Sequence, residues 1–477
     1  MDILVASNRG PLSFARENGS VIARRGGGGL VSGLSAAARA GSAAWVCAAL
    51  SETDRLAARH APGGRLDHAG HPTDGMAVRM LDIEPTVFAR AYNSIANSTL
   101  WFVHHMLYDI PNRPSFDTRF RREWRDYAAY NTAFAEALGV DAGPGAKVLV
   151  QDYHLTLTPR LLRARRPDLR IAHFSHTPWA PAEYYRLLPD DVARAVLDGV
   201  LGADCVGFLT ERWARAFLDC CEDVLKAVVD RGAMTVEHAG RLTRVGVHPL
   251  GVDGHHLRER ASQPDVAVRR EELRELVGDR QMILRIDRTE LSKNIVRGLA
   301  AYGELLCRHP EWRGRVVHVA FAYPSRHDLP EYREYTAAVQ RIAREIEDEY
   351  AMPGWTPVIL RVNDDYARSL AACRLADVLV VNPIRDGMNL VAKEGSVLSE
   401  RGLALVLSRE AGACAELGED AIEINPFDVT GTAEALHEAL SMPPAERAER
   451  SVRLAAAATA LPPTQWLADQ LADLGAQ

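Results

Sequence analysis

The sequence predicts an α/β protein made of two Rossmann-like, doubly wound parallel sheets that face each other across a cleft. Three observations carry this expectation. Short, uninterrupted apolar runs rich in β-branched residues recur at 3–6, 148–150, 171–174, 205–208, 242–247, 282–286, 316–321, 358–362, 378–381 and 403–407. Runs without polar alternation suit strands buried on both faces, the pattern of parallel sheets. Helical patterns separate them, and alternation of strand and helix along a whole chain means a wound α/β architecture. Finally, 477 residues exceed what one core accommodates, so two domains are the simplest arrangement.

The clearest helix spans 332–350, where Val339, Ile342, Ile346 and Tyr350 fall on one stripe and Arg and Glu fill the other faces. The boundary between the domains is expected near His248–Asp253, where a strand runs into Pro249 and Gly251 and a polar segment continues to Arg280. This gives an N-terminal domain at 1–247, a second at 248–460, and a closing helix at 461–477. The closing helix reads from Gln465 to Leu474, with Thr464 as its N-cap. The stretch 62–75 reads as a surface loop.

Composition narrows the function classes. Apolar residues make up 47% and charged residues 25%, globular values. The formal net charge of −7 argues against a general nucleic-acid surface and leaves room for a local basic cleft. Seven cysteines without a CxxC pair argue against a disulfide framework and a structural zinc site. No apolar run is long enough for a membrane helix, and the first residues carry an acid where a signal peptide wants positive charge. The chain therefore reads as a soluble cytoplasmic protein with no metal, no cofactor, no nucleic-acid partner and no membrane partner. Homo-oligomerisation is left open.

Four segments carry candidate chemistry. Arg25-Gly-Gly-Gly-Gly-Leu30 follows the first strand and precedes a helical pattern at 30–39. A glycine loop opening a helix suits an anion, although the pattern matches neither GxGxxG nor a P-loop; a flexible turn is the competing reading. Asp287-Arg-Thr-Glu-Leu-Ser-Lys-Asn294 lies just past a strand. There Arg288 would grip two oxygens and Lys293 would act as a point charge on a diphosphate; a solvated charge run is the competing reading. Asn382–Glu394 again leaves a strand and enters a helix, with Asp386 and Glu394 as acceptors for sugar hydroxyls and Gly387–Leu390 offering backbone N–H groups. Gln151-Asp-Tyr-His-Leu155 and Phe174-Ser-His-Thr-Pro178 bring Asp152, His154 and His176 to neighbouring strand ends, without the spacing of a metal site.

In this order, the segments resemble the trehalose-6-phosphate synthase family of retaining glycosyltransferases with the GT-B fold. The matching stretches are Ser7–Arg9, Gly28–Leu30, Tyr92–Trp101, Asp152–Leu155, His176–Pro178, Gly207–Phe208, Arg288 with Ser292–Lys293, Ser325–Arg326, Arg385–Glu394 and Asn425–Asp428. The resemblance implies glucosyl transfer from a nucleotide-diphosphate glucose to glucose 6-phosphate. It implies that Arg9, Tyr92, Trp101 and Arg326 hold the acceptor phosphate and Asp152 the acceptor sugar. On the donor side it implies Gly28, Gly29, Arg288 and Lys293 at the diphosphate. Asp386, Gly387, Met388, Asn389 and Glu394 would then sit at the donor sugar and ribose, with Leu390 and Val391 lining the nucleotide and His176 near the anomeric carbon.

The chain also departs from that pattern. UDP-glucose users of the family carry Asp-Tyr-Ser-Lys-Gly where this chain has Glu290-Leu-Ser-Lys-Asn294. Asp364 stands where many members have a histidine near the expected base pocket. Guanine presents adjacent N1–H and N2–H donors that one carboxylate accepts as a pair, so Asp364 or Asp365 points to GDP-glucose over UDP-glucose. Two other readings remain at this stage. One is a pseudo-glycosyltransferase of the validoxylamine 7′-phosphate synthase type, the other a silent sugar-phosphate sensor.

Overall fold

The computed structural model describes residues 1–17, 20–25, 43–73, 75–326 and 328–475. It resolves into two compact units. Unit 1 is Met1–Leu250 together with Pro463–Gln477, and unit 2 is Gly251–Pro462.

Unit 1 contains β1 (Ile3–Ser7), β2 (Leu12–Glu17), β3 (Ser20–Arg25), β4 (Ala43–Ala48), β5 (Ala77–Leu81), β6 (Lys147–Gln151), β7 (Arg170–Ser175), β8 (Cys205–Phe208), β9 (Val228–Asp230), β10 (Thr235–His238) and β11 (Arg241–Val247). Nine of these form one sheet in the order β5-β4-β1-β6-β7-β8-β11-β10-β9, while β2 and β3 pair as a separate hairpin. The sheet is parallel from β5 to β11, and β10 and β9 add an antiparallel edge. The chain winds outward from β1 to β4 and β5, then returns to place β6 on the other side of β1. The direction of winding therefore reverses between β1 and β6.

Unit 2 contains β12 (Gln281–Arg288), β13 (Val316–Tyr323), β14 (Val358–Arg361), β15 (Val378–Val381), β16 (Ala404–Ser408) and β17 (Ile422–Ile424). They form a parallel sheet in the order β14-β13-β12-β15-β16-β17, which reverses between β12 and β15. Its central strands bury nearly every residue, as parallel strands covered by helices must. The helix Ile295–Arg308 lays Leu299, Tyr302, Leu305 and Leu306 into the core beside Leu436 and Leu440 of the helix Val429–Ser441. Each such side chain contributes about 1.5–3 kcal/mol through its removal from water.

All ten apolar runs named above lie on strands. The helix expected over 332–350 is Pro330–Tyr350, with Val339, Ile346 and Tyr350 buried. The polar stretch before Arg280 folds as the helices Gly254–Ala261 and Pro264–Val277. One local expectation needs correction. The closing helix begins at Pro463, so Thr464 sits in its first turn and does not cap it. A proline with its fixed φ suits that first turn. Among the described residues no helix is long and apolar enough to cross a membrane.

Candidate active site

Open α/β sheets bind ligands beyond the carboxyl ends of their strands, where the winding reverses. In unit 2 that place is occupied by the ends of β12 and β15. Arg288 is the last residue of β12, and a single turn, Leu291–Lys293, follows it. Asn294 then takes a left-handed conformation, φ 57°, and starts the next helix. Its side-chain amide donates to the carbonyls of Asn382 at 3.0 Å and Pro426 at 2.7 Å, locking the turn against the segment after β15.

That turn delivers Lys293 to Asp386, whose carboxylate lies 2.5 Å from the ammonium. The same carboxylate oxygen accepts from the amide of Asn389 at 3.0 Å. Asn389 is itself left-handed, φ 82°, and caps the helix Leu390–Leu398 by accepting the Ala392 N–H at 3.2 Å. The loop 386–389 is held from behind by residues 410–413. Asp386 N–H donates to Glu410, Gly412 N–H donates to Asp386, and Ala413 N–H donates to Met388 at 2.7 Å. A Cβ on Gly412 would stand 1.9 Å from the Gly387 carbonyl oxygen, so only glycine fits there.

Charges in this unit are strongly coupled. Burial pulls the Lys293 ammonium down, but Asp386, Asp287 and Glu290 outweigh it and hold it above the usual lysine range. Burial pushes Asp287 up to about 6, against the opposing pull of Arg285, whose guanidinium is 2.8 Å away. Glu290 is fully buried, which alone would raise it; Arg288 at 3.0 Å and Arg326 at 3.8 Å overcome that and bring it down to about 2. Burial raises Glu394 to about 7. Arg326, with φ 44°, follows β13 and donates to the Tyr332 hydroxyl at 2.5 Å. Lys293 and half-exposed Arg288 thus stand beside a helix N-terminus, an arrangement suited to a multiply charged anion.

Of the two acids after β14, Asp365 caps the helix Tyr366–Leu375 and pairs with Arg269 at 2.9 Å and Arg368 at 3.2 Å. It is committed to structure. Asp364 is exposed.

Unit 1 places its residues at its own reversal, where β1, β6 and β7 run side by side. Arg9 is exposed just past β1. Asp152 leaves β6 with φ 72° and accepts the backbone N–H of His176 at 3.2 Å. His154 comes within 4.0 Å of the same carboxylate. The His176 ring lies 2.9 Å from the Gln151 amide oxygen, and burial lowers its pKa to about 3, so the imidazole is neutral. Tyr92 stacks between Phe88 and His154, at ring separations of 5.4 and 5.6 Å. It projects from Arg90–Leu100, a run of i→i+5 hydrogen bonds, a geometry frequent at functional sites. Trp101 directly follows that run and stacks on His105.

The structure thus brings Arg288, Lys293, Asp386, Gly387, Met388 and Asn389 together, with Leu390, Val391 and Glu394 on the helix that this loop opens. Arg326 is drawn in through Glu290. Arg9, Asp152 and His176 share the strand ends of unit 1. Gly28, Gly29 and the helical pattern at 30–39 lie outside the described residues. Sequence reasoning missed the structural part of Glu290, which reads as one more charge in a charged run. It also missed Gly412, which lies far along the chain from the loop it supports.

One group of possible metal ligands occurs among the described residues. His309, Glu311 and His437 each offer an atom within 4.8 Å of the others. Nδ1 of His437 accepts the indole N–H of Trp312 at 3.0 Å, which leaves the ring proton on Nε2. The ring therefore presents a donor where a metal needs a lone pair. His309 and Glu311 follow the helix Ile295–Arg308, and His437 lies on the helix Val429–Ser441.

The model of glycosyltransferase family 20 matches residues 1–476. A trehalose-6-phosphate synthase from Mycobacterium avium is 36% identical over 470 residues, covering 95% of this chain and 91% of the relative. A bifunctional trehalose-6-phosphate synthase/phosphatase from Thermoproteus tenax is 37% identical over 379 residues, 79% of this chain; the match spans half the length of that relative. A validamine 7-phosphate valienyltransferase from Streptomyces hygroscopicus is 32% identical over 91% of this chain and 85% of its own length. The crystal structure of a UDP-forming alpha,alpha-trehalose-phosphate synthase from Burkholderia vietnamiensis superposes with a TM-score of 0.85 at 28% identity, covering 100% of this chain and 99% of the other.

Two doubly wound parallel-sheet units, each with polar residues gathered where its winding reverses, define the GT-B class of glycosyltransferase. Within that class, the chain belongs to glycosyltransferase family 20, the trehalose-6-phosphate synthase family.

Proposed function

We propose that this chain transfers a glucosyl unit, with retention, from a nucleotide-diphosphate glucose to glucose 6-phosphate, forming α,α-trehalose 6-phosphate. The observation that carries this reading is the pairing of Lys293 with Asp386 beside Arg288, at the reversal point of unit 2. Cleavage of the anomeric C–O bond leaves positive charge on the sugar and negative charge on the diphosphate. Arg288 and Lys293 stabilise that developing negative charge. Gly28 and Gly29, outside the described residues, are assigned to a diphosphate from their sequence alone, while Asp386 and Glu394 take hydroxyls of the donor glucose and ribose. Gly387, Met388 and Asn389 supply the loop beneath them, and Leu390 and Val391 line the nucleotide.

Arg9, Tyr92 and Trp101 are assigned to the acceptor phosphate in unit 1, and Arg326 is assigned to an acceptor phosphate from its own unit. Asp152 accepts from acceptor hydroxyls, and neutral His176 lies near the anomeric carbon. The acceptor hydroxyl attacks from the face the phosphate leaves, and a phosphate oxygen takes its proton. No protein nucleophile is required, so the chemistry rests on positioning and charge. Free thiols at the cysteines agree with a reducing, cytoplasmic setting.

Asp364 supports GDP-glucose as the donor. It is the exposed acid beyond β14, while its neighbour is tied to two arginines. Turnover of glucose 6-phosphate with GDP-, UDP- and ADP-glucose, with the product identified by mass and anomeric NMR, tests both statements. A strong UDP preference rejects the assignment of the base and leaves the transfer intact. No disaccharide phosphate from any donor rejects the transfer. The valienyltransferase relative gives the pseudo-glycosyltransferase reading a basis, and Asn8, Arg9, Tyr92 and Arg385–Met388, intact here, favour ordinary glucosyl transfer.

A further inference from the structure

Glu290 is a carboxylate that faces both Arg288 and Arg326. Its side chain is completely buried, with Oε1 3.0 Å from Nη1 of Arg288 and 3.8 Å from Nη1 of Arg326. The same oxygen accepts the Ser325 hydroxyl at 2.9 Å. Three elements meet at this atom. Arg288 ends β12, Ser325 and Arg326 follow β13, and Glu290 begins the turn that carries Lys293. Tyr332, from the helix Pro330–Tyr350, holds Arg326 from the other side, with its hydroxyl accepting at 2.5 Å and its ring 5.4 Å from the guanidinium carbon.

Arg288 is differently placed, because 53% of its side chain is exposed. It is anchored at one nitrogen and open elsewhere. A guanidinium held in this way presents a fixed fork to a second anion, and less side-chain freedom is lost when that anion binds.

We infer that Glu290 is a positioning residue shared by two phosphate sites, orienting Arg288 toward the donor diphosphate and Arg326 toward the acceptor phosphate. The inference rests on the assignment of those two arginines under the proposed function. It adds a link between them: a single buried carboxylate sets the geometry of both, so its loss disturbs donor and acceptor together. Glu290 touches neither substrate. It acts through the guanidinium groups.

The sign of the effect separates orientation from bare charge. Deleting a negative charge beside two anion-binding cations strengthens anion binding by Coulomb's law alone. Weaker binding after that deletion can come only from lost orientation. The experiment measures, by calorimetry, the dissociation constants of glucose 6-phosphate and of GDP and UDP for the full chain and for Glu290→Gln and Glu290→Asp, with thermal unfolding recorded for each.

Glu290→Gln is expected to weaken both ligand classes by about tenfold or more, since both guanidinium groups lose the buried ion-pair partner that orients them. The thermal transition should stay cooperative, and Glu290→Asp should recover most of the affinity. Unchanged or tighter binding of both classes in Glu290→Gln overturns the inference, as does weakening of one class alone. If Glu290→Gln fails to fold, Glu290→Asp decides: affinities of both classes displaced in the same sense support the shared role, and displacement of one class alone overturns it. A wild-type chain that binds neither glucose 6-phosphate nor any nucleotide diphosphate refutes the proposed function instead, so the two failures are distinguishable.

Discussion

The ammonium of Lys293 lies 2.5 Å from the carboxylate of Asp386, joining the turn after β12 to the loop after β15. Lys293, the cation assigned to the diphosphate under the proposed function, is thus paired with an anion of its own unit. On that proposal a diphosphate competes with Asp386 for Lys293.

That competition gives opposite expectations for the two partners. Lys293→Ala removes the cation, and the turnover number should fall by about a hundredfold or more, the scale seen when one electrostatic donor to a transition state is lost. Asp386→Asn removes the competitor, so bare nucleotide diphosphate should bind more tightly while transfer collapses. Calorimetry with GDP and UDP alongside steady-state rates checks both signs.

Gly412→Ala tests the support behind the loop. The new methyl group would meet the Gly387 carbonyl oxygen at 1.9 Å, and both sides of the contact are backbone. The loop 386–389 must move, so transfer should fall by about tenfold or more while the thermal midpoint drops by only a few degrees. Wild-type rates in this variant would show that the loop position is unimportant.

Glu394 links pH to stability. Its carboxyl titrates near 4.5 when unfolded and at about 7 in the native chain because of burial. The unfolded chain therefore gives up this proton first as pH rises, and the native state loses stability progressively from about pH 4.5 to 7. The loss is on the order of 3 kcal/mol once both states are ionised. Glu394→Gln should flatten that part of the stability profile. Urea denaturation of both proteins at pH 5 and pH 8 measures the difference, and parallel profiles would count against the shift.

Trp466 packs edge-on against Phe174, 5.0 Å between ring centres, and lies 5.6 Å from the His176 ring. Trp466→Ala should cost about 3–5 kcal/mol, as for other buried aromatic truncations. It should also admit water to His176, whose depressed pKa stems first from burial. An imidazole titration followed by NMR should move back toward the ordinary histidine value.

Much of this architecture was legible because parallel strands buried on both faces leave long apolar runs, as at Met282–Ile286 and Val378–Val381. β4 was missed because Ala43 and Ala44 open it and alanine signals no strand. β2 and β3 escaped because half of their residues face solvent as a hairpin. The sites followed the same logic. Lys293 and Asp386 sit at strand ends in unusual polar segments, so each could be singled out. Their contact joins residues far apart in sequence, and only the sheet order β12-β15 makes them neighbours. Gly412 left no mark, since what matters there is a missing Cβ against a distant carbonyl.

The closing helix Pro463–Asp473 completes unit 1, although unit 2 lies between them in the chain. Nε2 of His248 reaches the Asp473 carboxylate at 3.0 Å, and the Lys147 ammonium donates to the Leu471 carbonyl at 2.9 Å. During synthesis these partners leave the ribosome only after unit 2 has done so. The nascent first half must wait, with the apolar patch around Phe174 uncovered, until the whole of unit 2 has emerged. Chaperone demand should therefore persist until Trp466 has emerged, and a stop codon just before it should harm unit 1, made before unit 2, the most.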